Sequence, residues 1–241
     1  LLPGQLAELA ELLLPVLNGD CTLDEALARQ DRRVAEDVER WYAASNQPLD
    51  RKVFLLAAAV FNGALADEVE GAADKLLDDI SPPPATQPAS PPPDPFLAGG
   101  TRSARLKAVG ASLTTTAIQG MHYGSATAVA LRLDNAAWQK AVIDYVWSEL
   151  PNLHESLLAW LELYACQGNQ RLRVRAAGAI GALARLNFAL IEARILRQWA
   201  GSFDPNARRA AAQVLGIVMW DEQHGAAASG LLRYWATSDN W

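Results

Sequence analysis

Residues 5–17 carry Leu6, Leu9, Leu12, Leu13, Leu14 and Leu17 at close to helical spacing, and Asn18-Gly19 supplies the usual stop. Thr22 followed by Glu25 has the form of a capping box. It opens a helix predicted to reach about Ser45, whose mix of acids and arginines implies an exposed rod with one apolar stripe. After Pro48-Leu49 the stretch 53–61 is apolar all round, which predicts a central helix with Asp50 as its N-cap. Asn62-Gly63 makes the turn into a further helix over 65–80, with Leu65, Val69, Ala72, Ala73, Leu76 and Leu77 on its inner face.

The pattern then breaks. Residues 81–95 hold eight prolines, which exclude helix and inner strand and predict an extended polyproline II tether. Residues 102–108 read as a short helix. The β-branched run 112–118 and the alternating run 126–133 read as a hairpin. Helix, turn, helix and hairpin is a winged-helix layout, with the Pro-rich stretch between second helix and wing. Asp134-Asn135 is expected to cap the next helix, and from there the chain is predicted helical to its end. The proposed pairs are 136–150 with 152–166, 170–186 with 189–201, and 205–220 with 223–236.

Two motifs recur in that last region. Val174-Arg175-Ala176-Ala177 returns 34 positions later as Arg208-Arg209-Ala210-Ala211, and Trp160, Trp199 and Trp235 close similar Leu-rich segments. A period of this size marks stacked helical pairs, each burying its apolar face against its neighbours. The tryptophans are expected as core anchors at the junctions, with a stacking platform as the alternative. The two Arg-Ala-Ala segments resemble the start of HEAT-like repeats over 136–241. The segment 54–64 is similar to the winged-helix part that follows the core of STAND-type signalling NTPases from actinobacteria. That resemblance implies an upstream nucleotide-binding module and a regulatory or partner-binding role for this part. The expected fold class is therefore mainly α: a winged-helix-like N-terminal helical domain with a small β-hairpin, then a short HEAT-like α-solenoid. The expected boundaries are 1–80, a Pro-rich linker or loop at 81–97, a helix plus wing at 98–135, and repeats at 136–241.

Charge divides the chain. Residues 1–80 hold 7 Lys/Arg against 16 Asp/Glu, and residues 95–241 hold 14 against 10. The two parts are expected to be solvated surfaces, with mutual attraction or separate partners as alternatives. Cys21 and Cys166, far apart, imply packed thiols in a reducing cytoplasm. No apolar run is long enough for a membrane span and no signal peptide is evident, so no membrane association is expected. The chain opens without Met, and a piece of a longer protein is expected.

Catalytic chemistry is not legible. His122, His154 and His224 are isolated, and His154-Glu155-Ser156-Leu157-Leu158 has Leu158 where a zincin needs its second ligand. Gly99-Gly100-Thr101-Arg102-Ser103 lacks the Gly-Lys-Ser/Thr core of a phosphate-binding loop. The acids Asp67, Glu68, Glu70, Asp74, Asp78 and Asp79 read as a solvated face that argues against major-groove docking by 65–80. The expectation is a non-enzymatic protein-interaction or regulatory module without cofactor or metal, from a larger cytoplasmic protein. Its partner is expected to be a protein, met through Arg171, Arg175, Arg194, Arg197, Arg208 and Arg209. The alternative is a DNA-binding HEAT-like protein or base-repair enzyme using the same Arg-rich face.

Overall fold

The capping box at Thr22 starts the first long helix as its residues dictate. Thr22 Oγ1 accepts from the Glu25 amide at 3.3 Å, and Glu25 Oε2 accepts from the Thr22 amide at 2.9 Å. In the computed structural model, which describes residues 3–81, 101–120 and 124–237, α1 (Pro3–Leu17) packs on α2 (Leu23–Ala43). Then come α3 (Leu49–Val60) and α4 (Ala66–Ile80). The Pro-rich tether lies outside the described residues except Ser81. Beyond it are α5 (Arg102–Ala108), β1 (Ala111–Gly120) and β2 (Gly124–Leu133).

The helical remainder comprises α6 (Trp138–Glu149), a 3-10 turn (Pro151–Leu153), α7 (His154–Gln167) and α8 (Gln170–Leu186). The rod that follows joins α9 (Phe188–Ile191), a π segment (Glu192–Leu196) and α10 (Arg197–Ala200). In the π segment the Arg197 amide bonds Glu192 O, five residues back. The chain closes with α11 (Pro205–Val218) and α12 (Gly225–Thr237). The described residues are thus mainly helical with one small antiparallel sheet, in which Ala111 pairs with Leu133 and Gly120 with Gly124.

Some expected caps moved. Asp50 lies in the first turn of α3, because the helix already starts after Pro48. Asn135 Oδ1 accepts from Ala137 N at 2.9 Å, but α6 begins only at Trp138. Pro205 and Asp204 behave as their types predict: proline opens α11, and the Asp204 side chain accepts from Asn206 N.

Two features tie the front of the chain to its back. The first is the Asn62-Gly63 turn. Gly63 has φ 79, a left-handed value that glycine adopts at little cost. Its amide bonds Leu131 O at 2.7 Å, Leu131 N bonds Ala64 O at 2.9 Å, and Leu65 forms an isolated antiparallel bridge with Ala130. The α3–α4 connection therefore lies along β2 like a short third strand. The second is Trp160. It is 1 % exposed, donates its indole N–H to Ala72 O of α4 at 2.9 Å, and meets Phe61 and Tyr164 edge-on. The apolar core is accordingly continuous from Val38 to Trp235.

The helical pairs are not uniform. α8 and α11, the two helices bearing the Arg-Ala-Ala motif, lie side by side, with Gly181 facing Ile217. α7 packs on α4, α8 and α11, while α6 packs chiefly on α2 and α3. Residues 136–166 thus do not form the tight hairpin that their periodicity predicts. α6 buries Val142, Ile143 and Val146 and packs chiefly on the front of the chain, while Trp147 meets His154 at the start of α7. The tryptophans at 160, 199 and 235 are all buried, as expected of core anchors, though Trp160 anchors to α4.

Candidate binding surface

The acidic helix α4 is not simply a solvated face. Arg102 of α5 binds Glu70 and Asp67, and Arg105 approaches Asp74 at 3.8 Å while lying 4.7 Å over the Phe54 ring. These pairs raise the Arg102 pKa further above its ordinary value, the hydrogen bonds to Glu70 and Asp67 contributing most. Glu68 accepts from the Leu65 amide at 3.1 Å and from Asn169 Nδ2 at 2.6 Å, which links α4 to the N-terminus of α8. Lys75 pairs with Asp79. The acids of α4 thus act largely as docking points for the chain's own α5 and α8.

Most of the repeat-region arginines are held by the chain itself. Arg194 pairs with Glu155, Arg197 with Glu192 at 3.0 Å, and Arg185 with Asp221 at 2.9 Å. Arg208, half-buried, donates to Ser202 O at 2.6 Å. Arg175, also half-buried, donates Nε to Asn62 O at 2.8 Å and Nη1 to Arg171 O at 3.2 Å. Burial lowers the Arg175 pKa, and Arg171 and Arg132 push the same way, opposed by Glu68. Among the described residues, no side-chain partner is found for Arg171 or Arg209. The six expected arginines lie on α8, the rod after it and α11, and four of them brace the fold.

Besides a largely acidic cleft of about 420 Å³ between α2 and α6, lined by Asp31, Glu36, Glu39, Asp144 and Glu149 with Arg32 and Lys140, two further clefts gather polar groups. One, about 560 Å³, lies between the Asn62-Gly63 turn, the base of the hairpin and α8, with Arg132 and Arg175 beside Ser112, Thr114 and Asp134. Arg132 escaped the sequence reading because it sits alone in a strand. The other, about 310 Å³, runs between α8 and α11 and is lined by Gln170, Arg173, Asn206, Arg209 and Gln213 with small apolar residues. Large aromatic surface is exposed at both ends of α11: Phe203 is fully exposed and Trp220 is 91 % exposed.

Isolated reactive groups have structural surroundings. His154 Nε2 lies 2.6 Å from Trp147 O and its ring stacks on Trp147 at 3.9 Å, and His224 stacks on Phe188. His122 lies outside the described residues. No group of metal-holding side chains occurs among the described residues, and none of their helices is long and apolar enough to cross a membrane. Cys21 and Cys166 are free and half-buried. Burial pushes the Cys166 thiol up to about 11, with Asp204 and Glu162 adding to the effect. At pH 8 a thiol of that pKa is about a hundredfold less ionised than an ordinary one, and the thiolate is the reactive form. Iodoacetamide should modify Cys166 about two orders of magnitude more slowly than free cysteine, with the rate rising tenfold per pH unit to pH 10. Mass-spectrometric alkylation kinetics check this, and a rate matching free cysteine at pH 8 contradicts the burial.

Comparison with protein-family models, with curated proteins and with solved structures finds no match to the chain.

Proposed function

We propose that the chain is a non-catalytic protein-interaction or regulatory module of a larger cytoplasmic protein. In this reading α3, the Leu65 bridge, α4, α5 and the hairpin form a winged-helix-like unit. The helices from α8 onward form a short HEAT-like array. The observation that carries the reading is the pair of exposed aromatics on a rigid frame: Phe203 and Trp220 bracket α11, whose inner residues Ala207, Ala211, Val214 and Leu215 are buried. Exposed tryptophan on a well-packed element is the kind of residue that anchors protein interfaces. The neutralisation of Arg102 and Arg105 by α4 supports a protein partner over nucleic acid, since phosphate contacts need free basic groups. The resemblance of 54–64 to the winged-helix part of STAND-type signalling NTPases adds a sensor role to the proposal.

The test is a photo-crosslinking residue at position 220, with a second at the buried position 214 as control. A defined protein adduct from 220 alone supports the reading, and the absence of any adduct at 220 refutes it. Trp220→Ala should leave stability within about 0.5 kcal/mol, as for surface positions. It should weaken the crosslinked partner's affinity by about 2 kcal/mol, the scale of an interface anchor.

A further inference from the structure

The groove between α8 and α11 differs from the rest of the surface in its chemistry. Its polar lining consists of side-chain amides and guanidinium groups, with no carboxylate. Several of these groups are held in place by the backbone. Asn206 Nδ2 donates to Cys166 O at 3.2 Å, Gln213 Nε2 donates to Val174 O at 2.7 Å, and Arg173 Nη1 donates to Gly168 O at 3.1 Å. Each tethered amide keeps a second N–H and its carbonyl oxygen for another molecule. That donor–acceptor pair is the complement of a peptide group. Arg209 is exposed at the rim, and among the described residues it has no partner.

We propose that this groove binds an extended acidic peptide segment of a partner protein: Asn206 and Gln213 hold its main chain, and Arg173 and Arg209 hold its carboxylates. The proposal rests on the interaction role above and names the partner's chemistry. Charge complementarity selects the occupant, because a guanidinium pairs with a carboxylate in a bidentate, charge-assisted manner. An extended segment presents alternate side chains to one face. Acids at every second position would thus meet the arginines while the intervening peptide groups meet the amides. Buried Ala165 and Ala210 and the half-exposed Val174 add apolar lining that suits the aliphatic part of such a strand.

The probe is a fluorescein-labelled decapeptide of alternating alanine and glutamate, titrated against the intact chain and read by fluorescence anisotropy. Its lysine counterpart, a backbone N-methylated version and inorganic phosphate serve as comparisons. Saturable binding is expected, weakened at least tenfold by Arg209→Glu and at least tenfold by N-methylation. The lysine peptide should not bind, and millimolar phosphate should compete only weakly. Arg209 is exposed, so Arg209→Glu should melt like the parent and its effect reads the groove alone. Gln213→Leu should reduce affinity severalfold with the charges intact. Equal binding by the parent and Arg209→Glu overturns the proposal, as does no saturation at 1 mM peptide. Displacement by phosphate at the peptide's own affinity, with no effect of N-methylation, overturns it as well and marks a simple anion site. The interaction role fails separately, through the crosslinks at position 220, and a groove that binds peptide in a chain with no adduct there distinguishes the two outcomes.

Discussion

Trp160→Ala should destabilise the protein by about 4–5 kcal/mol, the upper range for removing a buried aromatic. Trp160 is 1 % exposed and packs on Phe61 and Tyr164, so its loss opens a cavity where the front and back of the chain meet. The substitution also removes the indole N–H bond to Ala72 O, worth about 1 kcal/mol net, while that carbonyl keeps its bond within α4. Trp160→Phe keeps much of the packing and loses only the bond, so it should cost about half as much. Urea denaturation followed by far-UV circular dichroism measures both. The continuous core from Val38 to Trp235 makes the expected transition single, since among the described residues one apolar cluster joins the two ends. A Trp160→Ala chain as stable as the parent, or one whose repeats melt apart from α3 and α4, would contradict this account.

Gly181→Leu should cost about 3 kcal/mol, at the high end for overpacking. A Cβ built on Gly181 of α8 stands 2.8 Å from Ile217 Cδ1 and 3.1 Å from Ile217 Cβ of α11. A longer side chain must therefore push the two motif-bearing helices apart. Gly181→Ala is instructive. It gains about 1 kcal/mol of helix propensity, which offsets most of the contact strain, so its net effect should be small. Ile217→Ala clears the space, and the Gly181→Leu cost measured in that background should fall by about 1–2 kcal/mol. A double-mutant cycle on thermal or urea unfolding reads this coupling. Additive effects would mean that the two helices have room to relax.

The sequence is informative where a signal is local. The capping box at Thr22, the apolar run of α3 and the alternation in β2 each specify an element because the deciding groups lie within a few residues of one another. The repeated Arg-Ala-Ala segments likewise mark α8 and α11, whose small residues permit the close approach at Gly181. What escaped is what the fold brings together from afar. Asn62 and Arg175 are 113 positions apart, and Trp160 and Ala72 are 88 apart. No local pattern foretells those bonds. Placing α5 against α4 turned acids expected to face only water into partners of Arg102 and Arg105. α6 has helical periodicity suited to a repeat, but the depth of its apolar face sent it to α2 and α3. Of the expected arginines, Arg209 alone lines the amide-rich groove. Gln170, Asn206 and Gln213 were not singled out, because side-chain amides give no signal until two helices are side by side.

The π segment at 192–196 has a bearing on how this chain tolerates changes in length. Trp160 and Trp199 stand 39 positions apart, and Trp199 and Trp235 stand 36 apart. In a regular helix one added residue turns everything downstream by about 100°. The wide turn between Glu192 and Arg197 takes up such a residue locally, and Trp199 still reaches the core. Deleting one residue from 192–196 should return the rod to regular α-helix with Trp199 still facing the core, whereas an equal deletion inside the regular helix α11 would turn everything after it by about 100°.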